Sequence, residues 1–252
     1  MSKTTSPHTA GDEDARGRAH AERVRAMFSR ISSRYDLLNH LLSANIDRRW
    51  RARVVRHARE NLRGGARALD VACGTGDLSL ALAAGGDAEI TGLDFCRPML
   101  DLAARKTHDG GRVITYVEGD ALSLPFADGT FDVVTIAFGL RNLASIEGGL
   151  RELLRVARAG GRVCVLEFSQ PSVPGLRGLF NLYFTRVLPR VGGLLSGSRV
   201  AYEYLPDSVS RFPDQRRLAE LMREVGFESV EFENLTGGIA AIHTGTRPSP
   251  LA

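Results

Sequence analysis

The sequence is poor in the features that would mark it early. It has three cysteines in 252 residues, Cys73, Cys96 and Cys164, and no CxxC pair among them. That spacing excludes a disulfide framework and a thiolate zinc site, and reads as reduced thiols in a cytosolic chain. Of the histidines, His57, His108 and His243 stand too far apart for ligand spacing, so no metal is expected. No apolar run reaches the roughly 18 residues that a membrane-spanning helix needs. The opening MSKTTSPHTAGDEDARG lacks the apolar centre of a signal peptide. The expectation is a cytoplasmic protein, neither secreted nor integral to a membrane. Charge of one sign is scarce too: 33 basic against 29 acidic residues leave +4, a mild excess that suits acidic lipid headgroups as readily as nucleic acid. The basic residues do not interleave with aromatics as in nucleic-acid modules, so no nucleic-acid partner is expected.

What is present is ordinary globular material, 43% hydrophobic and 25% charged, enough for one sizeable core. Residues 1–19 are polar and read as a disordered tail, leaving 20–252 as a single domain. Residues 20–62 read as an N-terminal helical cap: Val24, Met27, Phe28 and Ile31 recur at helical spacing, then Leu37, Leu38, Leu41 and Leu42, before a helix over 46–61. From Arg67 onward short apolar runs alternate with helical stretches, the mark of βαβ units and a mostly parallel sheet. Strands are expected at 68–72, 89–94, 113–118, 132–137 and 162–168, with helices at 76–84, 98–107 and 146–157 and a turn at Gly160-Gly161. A helical insertion over 169–211 follows the fifth strand; a helix at 214–225 then leads to two strands, 229–235 and 238–244, joined through Thr236-Gly237-Gly238. Seven strands with helices on both faces make an α/β, Rossmann-like sheet.

The chemistry gathers at the carboxyl ends of the strands. Asp70-Val-Ala-Cys-Gly74-Thr75-Gly76 joins the first strand directly to a helix, where glycines let backbone approach a ligand at a helix N-terminus. Asp94 ends the second strand, 94 − 74 = 20 residues beyond the first glycine, where a carboxylate accepts from both hydroxyls of a ribose. Asp120 and Ala121 follow the third strand, beside the position an adenine would take. A tight turn and a strand-end cap would leave the same trace. So would a dinucleotide dehydrogenase, although Ser79 stands where its third glycine usually falls.

The downstream order decides between these. Gly119-Asp120-Ala121, Leu124-Pro125-Phe126, Phe131-Asp132-Val133-Val134 and the later Arg-x-x-Arg-Ala-Gly-Gly turn resemble the class I S-adenosylmethionine-dependent methyltransferases. Stretches outside this core are similar to one family, the ubiquinone/menaquinone biosynthesis C-methyltransferases. They are Tyr35-Asp36-Leu-Leu-Asn39, Trp50-Arg51, Phe138-Gly139-Leu140-Arg141-Asn142, Leu166-Glu167-Phe168-Ser169, Tyr204-Leu205-Pro206-Asp207-Ser208 and Gly238-Ile-Ala-Ala-Ile-His243. The resemblance implies S-adenosylmethionine as cofactor, with the family's contacts falling on Thr75, Asp94, Asp120 and Ala121, beside Asp70, Gly74 and Gly76 of the turn. It implies C-methylation of a reduced prenylated quinone, demethylmenaquinol or alternatively 2-polyprenyl-6-methoxy-1,4-benzoquinol. Two departures stand out: Ala137 replaces a serine that relatives place there, and Asn45-Ile-Asp47 replaces Gly-x-His.

An aromatic carbon attacks a sulfonium methyl only when its ring is electron-rich, so the acceptor is expected to be the quinol. A cation beside a quinol oxygen favours the anionic ring. Arg141 is the candidate, with Asn142 on the second oxygen and Asp120 either pairing with Arg141 or relaying a proton; Arg141 in a purely structural pair with Asp120 is the competing reading. Tyr35, Asp36 and Asn39 either close the site or pack and cap helices. Leu176, Leu179, Phe180, Tyr183, Phe184, Val187, Leu188 and Val191 recur at helical spacing, with Arg177, Arg186 and Arg190 displaced from them. This amphipathic stripe either docks at the inner face of the membrane, walls a prenyl tunnel, or covers a core. A homo-oligomer and a non-catalytic cofactor-binding protein stay open.

Overall fold

In the computed structural model, residues 17, 19–32, 43, 45–110, 113–173, 175, 178, 182 and 199–249 are described. Residues 19–32 form α1. Then come α2 (Ile46–Ala58), β1 (Arg67–Val71), α3 (Asp77–Gly85), β2 (Glu89–Asp94), α4 (Arg97–Asp109), β3 (Ile114–Glu118) and β4 (Phe131–Ala137). A 3₁₀ turn, Leu140–Asn142, leads to α5 (Ile146–Val156) and β5 (Ala157–Phe168), and the chain closes with α6 (Arg199–Arg211), α7 (Gln215–Val225), β6 (Glu228–Leu235) and β7 (Ala240–Thr246).

The seven strands form one sheet in the order β3-β2-β1-β4-β5-β7-β6. The first five are parallel, while β7 runs antiparallel to both β5 and β6. Central strands of such a sheet are covered on both faces and so read as nearly continuous apolar runs, as Val133-Val134-Thr135-Ile136 does. Successive side chains serve opposite cores. Val134 and Ile136 pack with Leu150 and Leu153 of α5 and Leu218 and Met222 of α7. Val133 instead joins Trp50 and Val54 of α2 and Leu78 and Leu82 of α3. The helices start where side chains can cap them: Ser145 Oγ accepts the Gly148 N–H at 2.9 Å, and Asp214 Oδ1 accepts that of Arg217 at 2.9 Å.

Several boundaries differ from the sequence reading for local reasons. Gly160-Gly161 is not a turn before β5 but lies within it. Ala157 already pairs with Phe131, the register shifts between Phe131 and Val133, and Gly160 takes up the kink at φ 71°. β7 begins at Ala240 because Thr236–Gly238 forms a 3₁₀ turn; a Cβ on Gly238 would sit 2.8 Å from the Ser172 backbone N. α6 falls within the stretch read as a helical insertion, where it had no bounds of its own; Pro206 lies inside it. Gly17 and Ala19 are helical, so helix reaches into the segment read as tail, whereas residues 1–16 lie outside the described residues. So do Tyr35, Asp36 and Asn39, and the apolar stripe over 176–191 apart from Gly178 and Leu182. Among the described residues no helix is long and apolar enough to cross a membrane, and no cluster of ligating side chains suits a metal.

Candidate active site

The site is built where β1, β2 and β4 end. After β1 the backbone enters the left-handed region at Ala72 (φ 52°), Gly74 (φ 56°) and Gly76 (φ 81°). The two glycines differ in purpose. A Cβ on Gly76 would lie 2.5 Å from the Tyr116 Oη and 3.1 Å from the Ala103 Cβ, so Gly76 permits strand and helix to close up; a Cβ on Gly74 meets nothing within 4 Å and faces open space. The Gly74 N–H donates to Asp94 Oδ2 at 2.8 Å, and the Cys96 N–H donates to Oδ1 at 2.8 Å. Burial pushes the Asp94 carboxyl above its usual range, and these backbone donors oppose the rise. A carboxylate has about four acceptor positions. Two are used, which leaves room for the paired hydroxyls of a ribose.

Asp94, Gly74, Asp120 and Ala121 line a cleft together with Phe95, Met99, Leu122 and Ala137. Its outer wall is α1, through Ala21 and Phe28. That helix is tied down by Arg25 to Glu118 at 2.5 Å, by Ser29 Oγ to Cys96 Sγ at 3.3 Å, and by His20 Nε2 donating to the Asn142 carbonyl at 3.1 Å. A second, smaller cavity continues past Ala72, Gly74, Ala137 and Phe138 to Asp70, Thr75, Asp77 and Arg51. Asp70 is fully buried; Ser79 Oγ donates to it at 2.7 Å and Thr135 Oγ1 at 2.9 Å, and burial raises its carboxyl to about 6. It fastens the turn from beneath. The Thr75 hydroxyl accepts from Lys106 Nζ at 3.1 Å.

On the other side of the β4 end, Phe138 is held at φ 58°. Its carbonyl accepts from Arg141 Nη1 at 2.6 Å and from Asn142 Nδ2 at 3.2 Å. Arg141 is 7% exposed and lies with its Cζ 5.4 Å from the centre of the Phe168 ring. That ring packs against those of Phe138 and Trp50, with centroids 4.7 and 6.1 Å away. The expected pair between Arg141 and Asp120 does not form: Arg141 Nη1 donates to Glu167 Oε1 at 2.5 Å, while the exposed Asp120 accepts from the Leu122 N–H at 2.9 Å and shapes its own turn. Glu167 is 2% exposed, burial lifts its carboxyl to about 7 against the pull of Arg141, and its Oε2 has no hydrogen-bond partner. Tyr204 of α6 donates to Asn142 Oδ1 at 3.2 Å, and Arg141, Leu143, Ala144, Tyr204 and Phe212 border a larger cleft that abuts the first along Leu143 and Ala144.

The structure thus sets Gly74, Asp94, Asp120, Ala121 and Asn142 on one cleft, Asp70 and Thr75 with Gly74 on the cavity behind it, and Arg141 on the neighbouring cleft, whereas Gly76 lines none of these and serves the packing of the turn. Three participants had no role assigned from the sequence. Glu167 and Tyr204 stood within stretches that resemble the family, and Glu167 is also a lone acid within the buried run Val163-Cys-Val-Leu-Glu167; that α1 walls the cleft and that Tyr204 meets Asn142 depends on chain crossings remote in sequence.

A family model described as the ubiE/COQ5 methyltransferase family matches residues 16–247. The chain belongs to that family. The demethylmenaquinone methyltransferase of Thermus thermophilus is 52% identical over 223 residues, 88% of this chain and all of that protein. That of Deinococcus radiodurans is 45% identical, covering 94% of this chain and 96% of that one. Among solved structures, a possible histamine N-methyltransferase from Thermotoga maritima aligns over 88% of this chain and 98% of its own at TM-score 0.61 and 18% identity. A phosphoethanolamine N-methyltransferase of Haemonchus contortus, in complex with S-adenosyl-L-methionine, aligns over 74% of this chain and 50% of that one at TM-score 0.55 and 14% identity. These structures establish the class I fold alone; the ubiE/COQ5 membership makes the chain an S-adenosylmethionine-dependent C-methyltransferase of quinone biosynthesis. The groove fits that cofactor on its own terms, with an open glycine backbone and a buried carboxylate holding spare acceptor positions.

Proposed function

We propose that this chain methylates a ring carbon of demethylmenaquinol. The observation that carries the reading is the buried Arg141–Glu167 pair with Asn142 and Tyr204, set where the cofactor groove meets the larger cleft. S-adenosylmethionine supplies an activated methyl when bound. Asp94 and the Gly74 backbone hold its nucleoside part, and α1 with Ala137 and Phe138 excludes water from the groove. Arg141 directs positive charge at a quinol oxygen and favours the electron-rich anion, while Asn142, steadied by Tyr204, holds the second oxygen. Positioning of this kind supplies about 7–11 kcal/mol of barrier reduction. Methylation leaves the ring carbon with one proton too many, and aromaticity returns when a base takes it. A carboxyl near 7 is suited to accept a proton at neutral pH, and Glu167 has that value beside Arg141.

An isoprenoid tail keeps such a quinol in the bilayer, so the chain works at the inner membrane face as a peripheral protein. The exposed Arg48, Arg49 and Arg56 of α2 suit anionic headgroups. The test is transfer of labelled methyl from S-adenosylmethionine to reduced demethylmenaquinone, with the oxidised quinone and the reduced methoxy-benzoquinone precursor in parallel. Label in the reduced naphthoquinone ring alone is expected. Label only in the benzoquinol would move the substrate to the ubiquinone branch, and equal label in the oxidised quinone would refute the role given to the quinol.

A further inference from the structure

We propose that Arg51 of α2 is the anchor for the carboxylate of the cofactor's amino-acid end. The inference rests on the S-adenosylmethionine reading but not on the identity of the acceptor. Asp94 and Asp120 occupy one end of the groove, and the cavity beyond Gly74 is its other end, bordered by Arg51 and Asp70. With the nucleoside at Asp94, the amino-acid end falls in that second cavity, and its one anionic group calls for a cation there.

Arg51 is built for this. It is 11% exposed, and α2 carries it over the start of α3. Its Nη1 lies 2.5 Å from Asp47 Oδ2 and 3.4 Å from Asp77 Oδ2, and no described residue pairs with its other nitrogens. An arginine has five N–H donors on three nitrogens, so most of the fork is left for a ligand. Its holder is itself held: Asp47 is 4% exposed and accepts from Ser43 Oγ at 2.6 Å. Asp77 has its own cation, Lys106 Nζ at 2.5 Å, so the Arg51 charge is not spent there. A zwitterionic end needs both signs, and the acid side is supplied by Asp70 and Asp77 in the same cavity. Arginine meets a carboxylate with a planar, two-pronged geometry that lysine lacks.

Equilibrium binding by calorimetry, on the full chain, separates this from a structural role. The ligands are S-adenosylhomocysteine and 5′-methylthioadenosine, which keeps the nucleoside and sulfur but has no amino-acid group. Arg51→Gln is expected to weaken S-adenosylhomocysteine roughly 10–100-fold, the range for a charge-assisted hydrogen bond, and to leave methylthioadenosine within about twofold. Retained methylthioadenosine binding also reports that the variant is folded. Arg51→Lys should recover part of the loss. An equal loss for both ligands, or no loss for either, overturns the proposal. If the unaltered chain binds neither ligand, the cofactor reading itself fails, whereas absence of quinol methylation would leave this result standing.

Discussion

Replacing Glu167 by Gln keeps the shape of the buried pair and removes its negative charge. The carboxyl is raised from an ordinary 4.5 to about 7 in the folded protein, so the folded state holds its proton longer than the unfolded chain does. Its favourable contribution is therefore complete below pH 4.5 and is lost as pH rises through about 7. Each pKa unit is about 1.4 kcal/mol, so the loss across that window is on the order of 3 kcal/mol. Gln stands in for the protonated acid at every pH. In denaturant titrations at pH 5 and pH 8, stability should move in favour of the variant by roughly 2–3 kcal/mol between the two. Function should move the other way. The Gln Oε1 can still accept from Arg141 Nη1, but without the countercharge the guanidinium is held less firmly beside the Phe138 carbonyl and the Phe168 ring, and misplacement by about 1 Å lowers turnover on the order of 100-fold. Cofactor affinity should hardly change. A stability gap between the two proteins that stays constant with pH would refute the reasoning about burial, and a matching fall in cofactor affinity would refute the division of the site.

Other predictions follow from single contacts. Asp94→Ala removes the acceptor of two backbone N–H groups and, in the proposed site, of the ribose; cofactor affinity should fall on the order of 100-fold by calorimetry, whereas Arg141→Ala should leave affinity within about threefold and abolish measurable turnover. Gly76→Ala sets a Cβ 2.5 Å from the Tyr116 Oη at φ 81° and should lower the melting temperature by several degrees, the effect of about 1–3 kcal/mol. His243 is buried, donates from Nε2 to the Gln215 carbonyl at 2.8 Å, and is held down to about 4 by burial. Its contribution is present above pH 6.5 and lost as pH falls towards 4, about 3 kcal/mol in all; His243→Gln should flatten that acid limb in denaturant titrations.

The sheet was legible in the sequence because its central strands bury both faces and leave unbroken apolar runs between glycine-marked turns. The groove at the strand ends was legible because its parts sit at fixed places there: Asp94 closes β2, while Gly74 and Asp120 follow β1 and β3. Arg141 and Asn142 were legible through the motif around them, but the partner of Arg141 was not. Asp120 and Glu167 both follow apolar runs, and only the packing of β5 beside β4 selects Glu167. Gly160-Gly161 was misread because a kink within a strand and a turn before one ask the same of glycine. α6 was expected only as part of a helical insertion, without bounds, because Pro206 obscures its periodicity.

The most direct test of the central claim is the quinone content of a menaquinone-making bacterium that lacks its own methyltransferase and expresses this chain. Accumulated demethylmenaquinone is expected to give way to menaquinone, and the chain carrying Arg141→Ala, present at equal level, to leave demethylmenaquinone in place. Unchanged demethylmenaquinone with the unaltered, folded and cofactor-binding chain would contradict the claim.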